Sequence, residues 1–207
     1  MNINAQETAL LLIGFQKDYF APSGVLRDVV EDSSQLADLV SNTVNLLQHL
    51  EHSSVSTIAT PIFFTSDYEE LVEPIGILKK IKEVRAFQMG NSGSAMIEEL
   101  QPFRDRILVV PGRRGFNAFI DTDLHQICQD RGIKNIALTG AIASVCIDST
   151  GRYAQEQNYC VTILSDCISA RTSFEHEFYF KNIFPLYAEV MTSHQFLAAL
   201  NRDAAMR

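Results

Sequence analysis

Six short apolar runs recur along this chain, at 8–14, 55–65, 106–110, 134–140, 159–165 and 187–191. All are rich in Val, Ile and Leu, and most show little alternation of apolar and polar residues. A strand that is apolar at successive positions needs cover on both faces, which is the situation inside a parallel sheet. Helical patterns lie between the runs, at roughly 32–51, 93–101, 121–132, 145–157, 174–183 and 193–201. Asp121 and Thr122 suit the N-cap of one of these, and Gly132 suits its C′ position. Strand alternating with helix predicts an α/β fold: a three-layer α/β/α sandwich with a mostly parallel central sheet of about six strands and right-handed crossovers. No linker or repeat interrupts the pattern, so residues 1–207 read as a single domain. The stretch 66–92 has weak periodicity and reads as an excursion over the carboxyl edge of the sheet, a common place for a substrate lid.

The formal charge is −8 and the Lys and Arg residues are scattered. Nucleic acid and anionic membranes both select for clustered cations, so neither is expected as a partner. The densest group, Lys79, Lys80 and Lys82, reads as a solvated helix face. No apolar run approaches the ~20 residues that span a bilayer. The start MNINAQET lacks a basic segment followed by an apolar stretch, so no secretory signal is expected. Cys128, Cys146, Cys160 and Cys167 form no CxxC pair and read as reduced thiols. A cytoplasmic location follows as the expectation.

The most informative segment is residues 133–167, IKNIALTGAIASVCIDSTGRYAQEQNYCVTILSDC. A strand ends at Gly140, a short turn follows, and Cys146 stands where a helix begins. The helix dipole and free backbone N–H groups at such a place stabilise a thiolate and hold an oxyanion. That placement suits a nucleophile. It also suits a buried cysteine that merely packs the helix.

Several motifs then fall into a family order. Gly14-Phe15-Gln16-Lys17-Asp18-Tyr19 follows the first strand, where the pattern D-x-Q-x-D-F would stand. Arg113-Arg114-Gly115-Phe116-Asn117-Ala118-Phe119 takes the place of K-x-x-x-[SG]-A-F, and Thr122-Asp123-Leu124 the place of T-x-L. Gly140-Ala141-Ile142-Ala143-Ser144-Val145-Cys146-Ile147-Asp148-Ser149-Thr150 takes the place of G-x-x-[TS]-x-x-C-[VI]-x-x-T, and NSGSAMIEELQP at 91–102 resembles a further segment. Ser165-Asp166 and His176 follow at similar positions. Over nearly its whole length the chain resembles the isochorismatase-like cysteine hydrolases, which include nicotinamidases and related amidases.

The resemblance implies a site of Asp, Lys and Cys. The Asp accepts the thiol proton, the Lys stabilises the ion pair, and the thiolate forms a thioester that water cleaves. It also implies a non-proline cis peptide at Ala141-Ile142, with the N–H groups of Ile142 and Cys146 aimed at the oxyanion. Here Gly14 stands at the Asp position and Arg113 at the Lys position, and only Cys146 remains. Gly14 accepts no proton, and Arg113 is planar, forked and always charged. Asp18, Asp67, Glu69, Glu70 and His176 are the groups considered as replacements for the base. Phe15, Asp18, Asp67 and Phe119 are expected around the pocket, with Arg113 inside it and Arg114 outside.

In nicotinamidases an Asp-x-His supplies metal ligands at the point of Asp67; the third residue here is Glu69, so no metal and no cofactor are expected. Two readings follow. One is a hydrolase with an atypical site, Cys146 attacking a C–N or acyl bond of a small molecule. The other is a catalytically silent relative that binds a small ligand or a protein partner. A third, of another class, is a thiol protein in which Cys146 is oxidised. A homo-oligomer, dimer or tetramer, is expected by resemblance.

Overall fold

The computed structural model describes residues 3–30 and 34–204. Six strands form one parallel sheet: β1 (Thr8–Ile13), β2 (Ser56–Thr60), β3 (Ile107–Val109), β4 (Asn135–Ala141), β5 (Cys160–Ser169) and β6 (Glu189–Met191). All six residues of β1 are buried. Ala9, Leu11 and Ile13 join one apolar cluster while Leu10 and Leu12 join another, as the period of two demands. The first cluster packs under α4 (Leu124–Asp130) and α5 (Asp148–Glu156) through Leu124, Cys128 and Ala154. The second packs under α2 (Ser34–His49) and α7 (Ser193–Ala204) through Leu36, Leu39, Leu46, Leu47 and Phe196. The result is the three-layer α/β/α arrangement that the apolar runs predict.

The strand order is β3-β2-β1-β4-β5-β6. The chain therefore winds outward in one direction from β1 and in the other from β4. In open α/β sheets the crevice beyond the carboxyl ends, at such a reversal, is where ligands bind. Gly14 leaves β1 there, and the turn before Cys146 leaves β4 beside it. The two strands approach closely at this end because Gly140, at φ +115°, carries no side chain; a Cβ there would lie 1.8 Å from the Ile13 carbonyl oxygen. Gly140→Ala is expected to destabilise the fold by about 4 kcal/mol or more, because backbone must move to admit the methyl. The urea midpoint of unfolding checks it.

Several predicted boundaries shift. β2 stops at Thr60 rather than 65 because Pro61 follows and has no N–H for the ladder. β5 runs on to Ser169, where Ile168 and Ser169 pair with Gly140 and Ala141 across a register shift. The α-helix expected at 93–101 is absent; tight 3₁₀ turns cover Ser92–Ser94 and Glu98–Arg106, and Pro102 sits inside the second. α4 begins at Leu124 rather than 121: Asp121 is left-handed at φ +59°, and Thr122 Oγ1 instead accepts from the Leu124 N–H. Gly132 does close this helix, with Ile133 N–H bonded to Cys128 O and Gly132 N–H to Gln129 O. The start predicted at 32 for α2 lies outside the described residues. The 66–92 excursion holds a helix that its periodicity hid, α3 (Gly76–Glu83), which buries only Ile81 and leaves Lys79, Lys80 and Lys82 exposed. It returns to the sheet edge where Phe64 bonds to Phe87 and Met89.

Candidate active site

β4 ends in a peptide, Ala141–Ile142, that is cis. The helix that follows starts earlier than 145. Its first turn is a wide π turn at Ala143–Ile147, which runs directly into α5. Ile142 is the N-cap, and its carbonyl accepts from both Val145 and Ile147 N–H, at 3.1 and 3.2 Å. Cys146 lies within this turn and is 3% exposed. Thr150, one turn further on, accepts from the Ala118 N–H at 3.1 Å and so ties the loop after β3 to the nucleophile helix.

Arg113 comes from that loop and is fully buried. Its Nε donates to Gly115 O at 3.0 Å, Nη1 to Thr60 O at 3.1 Å, and Nη2 to Phe116 O at 3.1 Å. Among the described residues no carboxylate stands within ion-pair distance of it. Carbonyl dipoles thus satisfy much of its hydrogen bonding, yet a full positive charge remains in a dry place. Buried charges are ordinarily paired. Arg114 turns outward to an ion pair with Glu70 at 3.3 Å.

Gly14 is left-handed at φ +75°. A Cβ there would lie 3.2 Å from the Ala141 carbonyl oxygen and 3.6 and 3.8 Å from two ring carbons of Tyr19. Tyr19 sits on α1 (Lys17–Phe20), a single turn, and is 5% exposed. Its ring packs 5.0 Å from that of Phe87. Burial pushes its phenol above the ordinary value; a charge on Cys146 pushes the same way, and Arg113 opposes both.

The other predicted residues are dispersed. Phe15 stacks on Phe20 at 5.1 Å and, with Gly14, lines an apolar cavity of about 180 Å³. Phe119 faces Tyr153 and Tyr159 in the core beneath α5. His176 stacks on Phe180 and borders a separate cavity with Asp38 and Asp166. Glu70 is engaged by Thr65 and Arg114. A cavity of about 410 Å³ opens beside the site, lined by Glu70, Arg114, Phe116, Asn117, Ile120 and Ser149. Asp67 and Glu69 are exposed, and among the described residues no three His, Cys, Asp or Glu side chains gather into a metal-binding group. The residues present do not fit the metal position of nicotinamidases, and no metal enters the chemistry below.

Asp18 accepts from the Phe87 N–H at 2.7 Å, pinning the end of the excursion. Burial pushes its carboxyl above the ordinary value, and the Phe87 bond pulls part of the way back. Folding thus raises its pKa. The stability it contributes is present below the unfolded value and is lost as pH rises through the folded one. Asp18→Asn is expected to flatten the decline in stability upward from about pH 4, seen as a smaller pH slope of the denaturant midpoint.

The comparisons bear on the fold and the family. Residues 8–195 match the family model described as the isochorismatase domain. The isochorismatase family protein YddQ of Bacillus subtilis is 26% identical over 92% of this chain and 98% of its own length. The ureidoacrylate amidohydrolase RutB of Agrobacterium fabrum is 24% identical over 80% of this chain and 77% of its own. The crystal structure of a cysteine hydrolase from Pseudomonas syringae pv. phaseolicola superposes with a TM-score of 0.83 at 21% identity, covering 98% of this chain and 96% of that one. No helix among the described residues is long and apolar enough to cross a membrane. With one parallel sheet, a cysteine in the turn after β4 and a family model matched over nearly its full length, this chain belongs to the isochorismatase family.

Proposed function

We propose that this protein is a cysteine hydrolase that opens a C–N or acyl bond of a small molecule, with Cys146 as the nucleophile. The observation that carries the reading is the placement of Cys146 in the first turn of a helix at the reversal of strand order, in a protein that also buries the Arg113 guanidinium, with no described carboxylate to neutralise it. In a dry site such a charge stabilises an oxyanion far more than it would in water. The sulfur adds to the acyl carbon, with the Ile142 and Cys146 N–H groups as oxyanion donors. The leaving nitrogen takes a proton and departs, and water then releases the acid and restores the thiol. Gly14 supplies no base, so the site is atypical. Arg113 acts through its field, since Nε, Nη1 and Nη2 each already donate to a backbone carbonyl. Homo-oligomeric assembly and a cytoplasmic setting belong to the same reading; light scattering checks the first.

RutB directs the choice of substrates toward ureido acids and simple amides. Incubation with such a panel should release ammonia or amine with the wild type and not with Cys146→Ala. Release that survives in Cys146→Ala would refute the assignment. The absent carboxyl at Gly14 favours a second reading, a silent binder. No turnover across the panel, together with a panel compound that raises the melting temperature, would establish it.

A further inference from the structure

We propose that the cavity of about 410 Å³ lined by Arg114 is a binding site for a small carboxylate with an apolar body, held by the Arg114 guanidinium. The proposal goes beyond the hydrolase reading and does not need it. Two segments wall the cavity: the excursion after β2, through Glu70, Val72 and Leu78, and the loop after β3, through Arg114, Phe116 and Ile120. Val72, Phe116 and Ile120 are 86%, 38% and 48% exposed, large apolar side chains left in contact with solvent around one concavity. Apolar walls with a few polar groups to fix orientation are the usual make-up of a small-molecule site. The cavity adjoins the candidate active site. Gly115 and Phe116, whose carbonyls accept from Arg113, line it, and so does Ser149, three residues beyond Cys146.

The polar contacts of Arg114 indicate what the ligand carries. Its Nε pairs with a Glu70 oxygen at 3.3 Å. That is longer than the about 2.7–2.9 Å of a strong charge-assisted bond. Its Nη1 reaches the Arg113 carbonyl only at 3.4 Å, and Nη2 has no hydrogen-bond partner among the described residues. The side chain is 31% exposed, and the edge carrying Nη1 and Nη2 is the one left for a ligand. Glu70 is tied in place and cannot swing round to that edge. Both of its oxygens accept from the Thr65 N–H, at 3.0 and 3.2 Å, and one also accepts from the Thr65 hydroxyl at 2.9 Å. The two-nitrogen edge of a guanidinium matches the two oxygens of a carboxylate. A ligand bound there gives its carboxylate to Arg114 and its apolar part to Phe116, Val72 and Ile120. Two carboxylates of the wall oppose it: Glu70, on the Nε edge, and the exposed Asp121, which lines the same cavity. Removing the Glu70 charge should therefore tighten the complex, whereas removing the Arg114 charge should end the selection for an anion.

The test separates charge recognition from apolar packing. The probes are p-fluorobenzoate and the neutral p-fluorobenzyl alcohol, each titrated into the full chain and followed by fluorine NMR. Wild type is expected to bind the benzoate about tenfold or more tightly than the alcohol. Arg114→Gln should remove that preference and leave the affinity for the alcohol as it was, which also reports that the cavity is intact. Glu70→Gln should tighten the benzoate about twofold to fivefold and leave the alcohol unchanged. Phe116→Ala should weaken both probes. Equal affinity of the wild type for the two probes, or a preference for benzoate that survives Arg114→Gln, would overturn the proposal. The same titrations in Cys146→Ala should give the same constants, because the site holds its ligand without the thiol. Failure of the substrate panel to turn over would thus sink the hydrolase reading and leave this site standing, while loss of the benzoate preference would sink the site alone.

Discussion

Replacing Cys146 by alanine is expected to lower the hydrolytic rate by about 10⁴ or more, with the fold intact. The side chain is small and 3% exposed, in a turn held by backbone bonds from Val145 and Ile147 to the Ile142 carbonyl. Alanine keeps those bonds, so the melting temperature should shift little. The residual rate would report what the oxyanion donors and the Arg113 field achieve without a covalent step. Cys146→Ser should be nearly as inactive, because a hydroxyl is a far weaker nucleophile than a thiol at neutral pH and Gly14 offers no base to activate it. Rates within tenfold of wild type in either variant would place the chemistry elsewhere.

The second large effect is on stability. Arg113→Met keeps much of the stem and removes the guanidinium. Thr60, Gly115 and Phe116 each lose the donor they now have. An unpaired buried carbonyl costs about 1–3 kcal/mol, so the sum is several kcal/mol, less what is regained by no longer burying a charge. Arg113→Lys keeps the charge but brings one nitrogen where the fork brings three, and cannot span these carbonyls in the same geometry. Both variants are expected to unfold at markedly lower urea, Met lower than Lys. Lys should retain more acyl transfer than Met per folded molecule, because the field survives while the scaffold weakens. Equal transfer in the two would show that Arg113 is a brace alone.

Much of this was legible in the residues. The apolar runs of β1, β4 and β5 specify strands covered on both faces, and the order of motifs locates Cys146, Gly14 and Arg113 at the carboxyl edge. What a linear reading misses is direction. Asp18 and Tyr19 are adjacent in sequence, but on a helical turn successive side chains diverge by about 100°. Asp18 therefore accepts from the Phe87 N–H while Tyr19 packs its ring on the Phe87 ring. Asp18, as the nearer acid, drew attention as a base, while Tyr19 read only as an aromatic at a family position. Nothing in the sequence shows that Thr60, Gly115 and Phe116 present three carbonyls to Arg113. Direction is equally hidden at Phe119, which packs with Tyr153 and Tyr159, and at Asp67, which is exposed. α3 went unseen because a helix that buries a single residue leaves almost no periodic signal.

The most direct measurement is the site of acetylation after brief exposure to p-nitrophenyl acetate, mapped by peptide mass spectrometry. Cys160 is exposed, whereas Cys146 is buried. A reagent that followed exposure alone would mark Cys160 first. A working nucleophile predicts a transient acetyl group on Cys146 ahead of Cys160, discharged by water within turnover. Acetylation of Cys160 and surface lysines, with Cys146 untouched while the protein stays folded, would contradict the account.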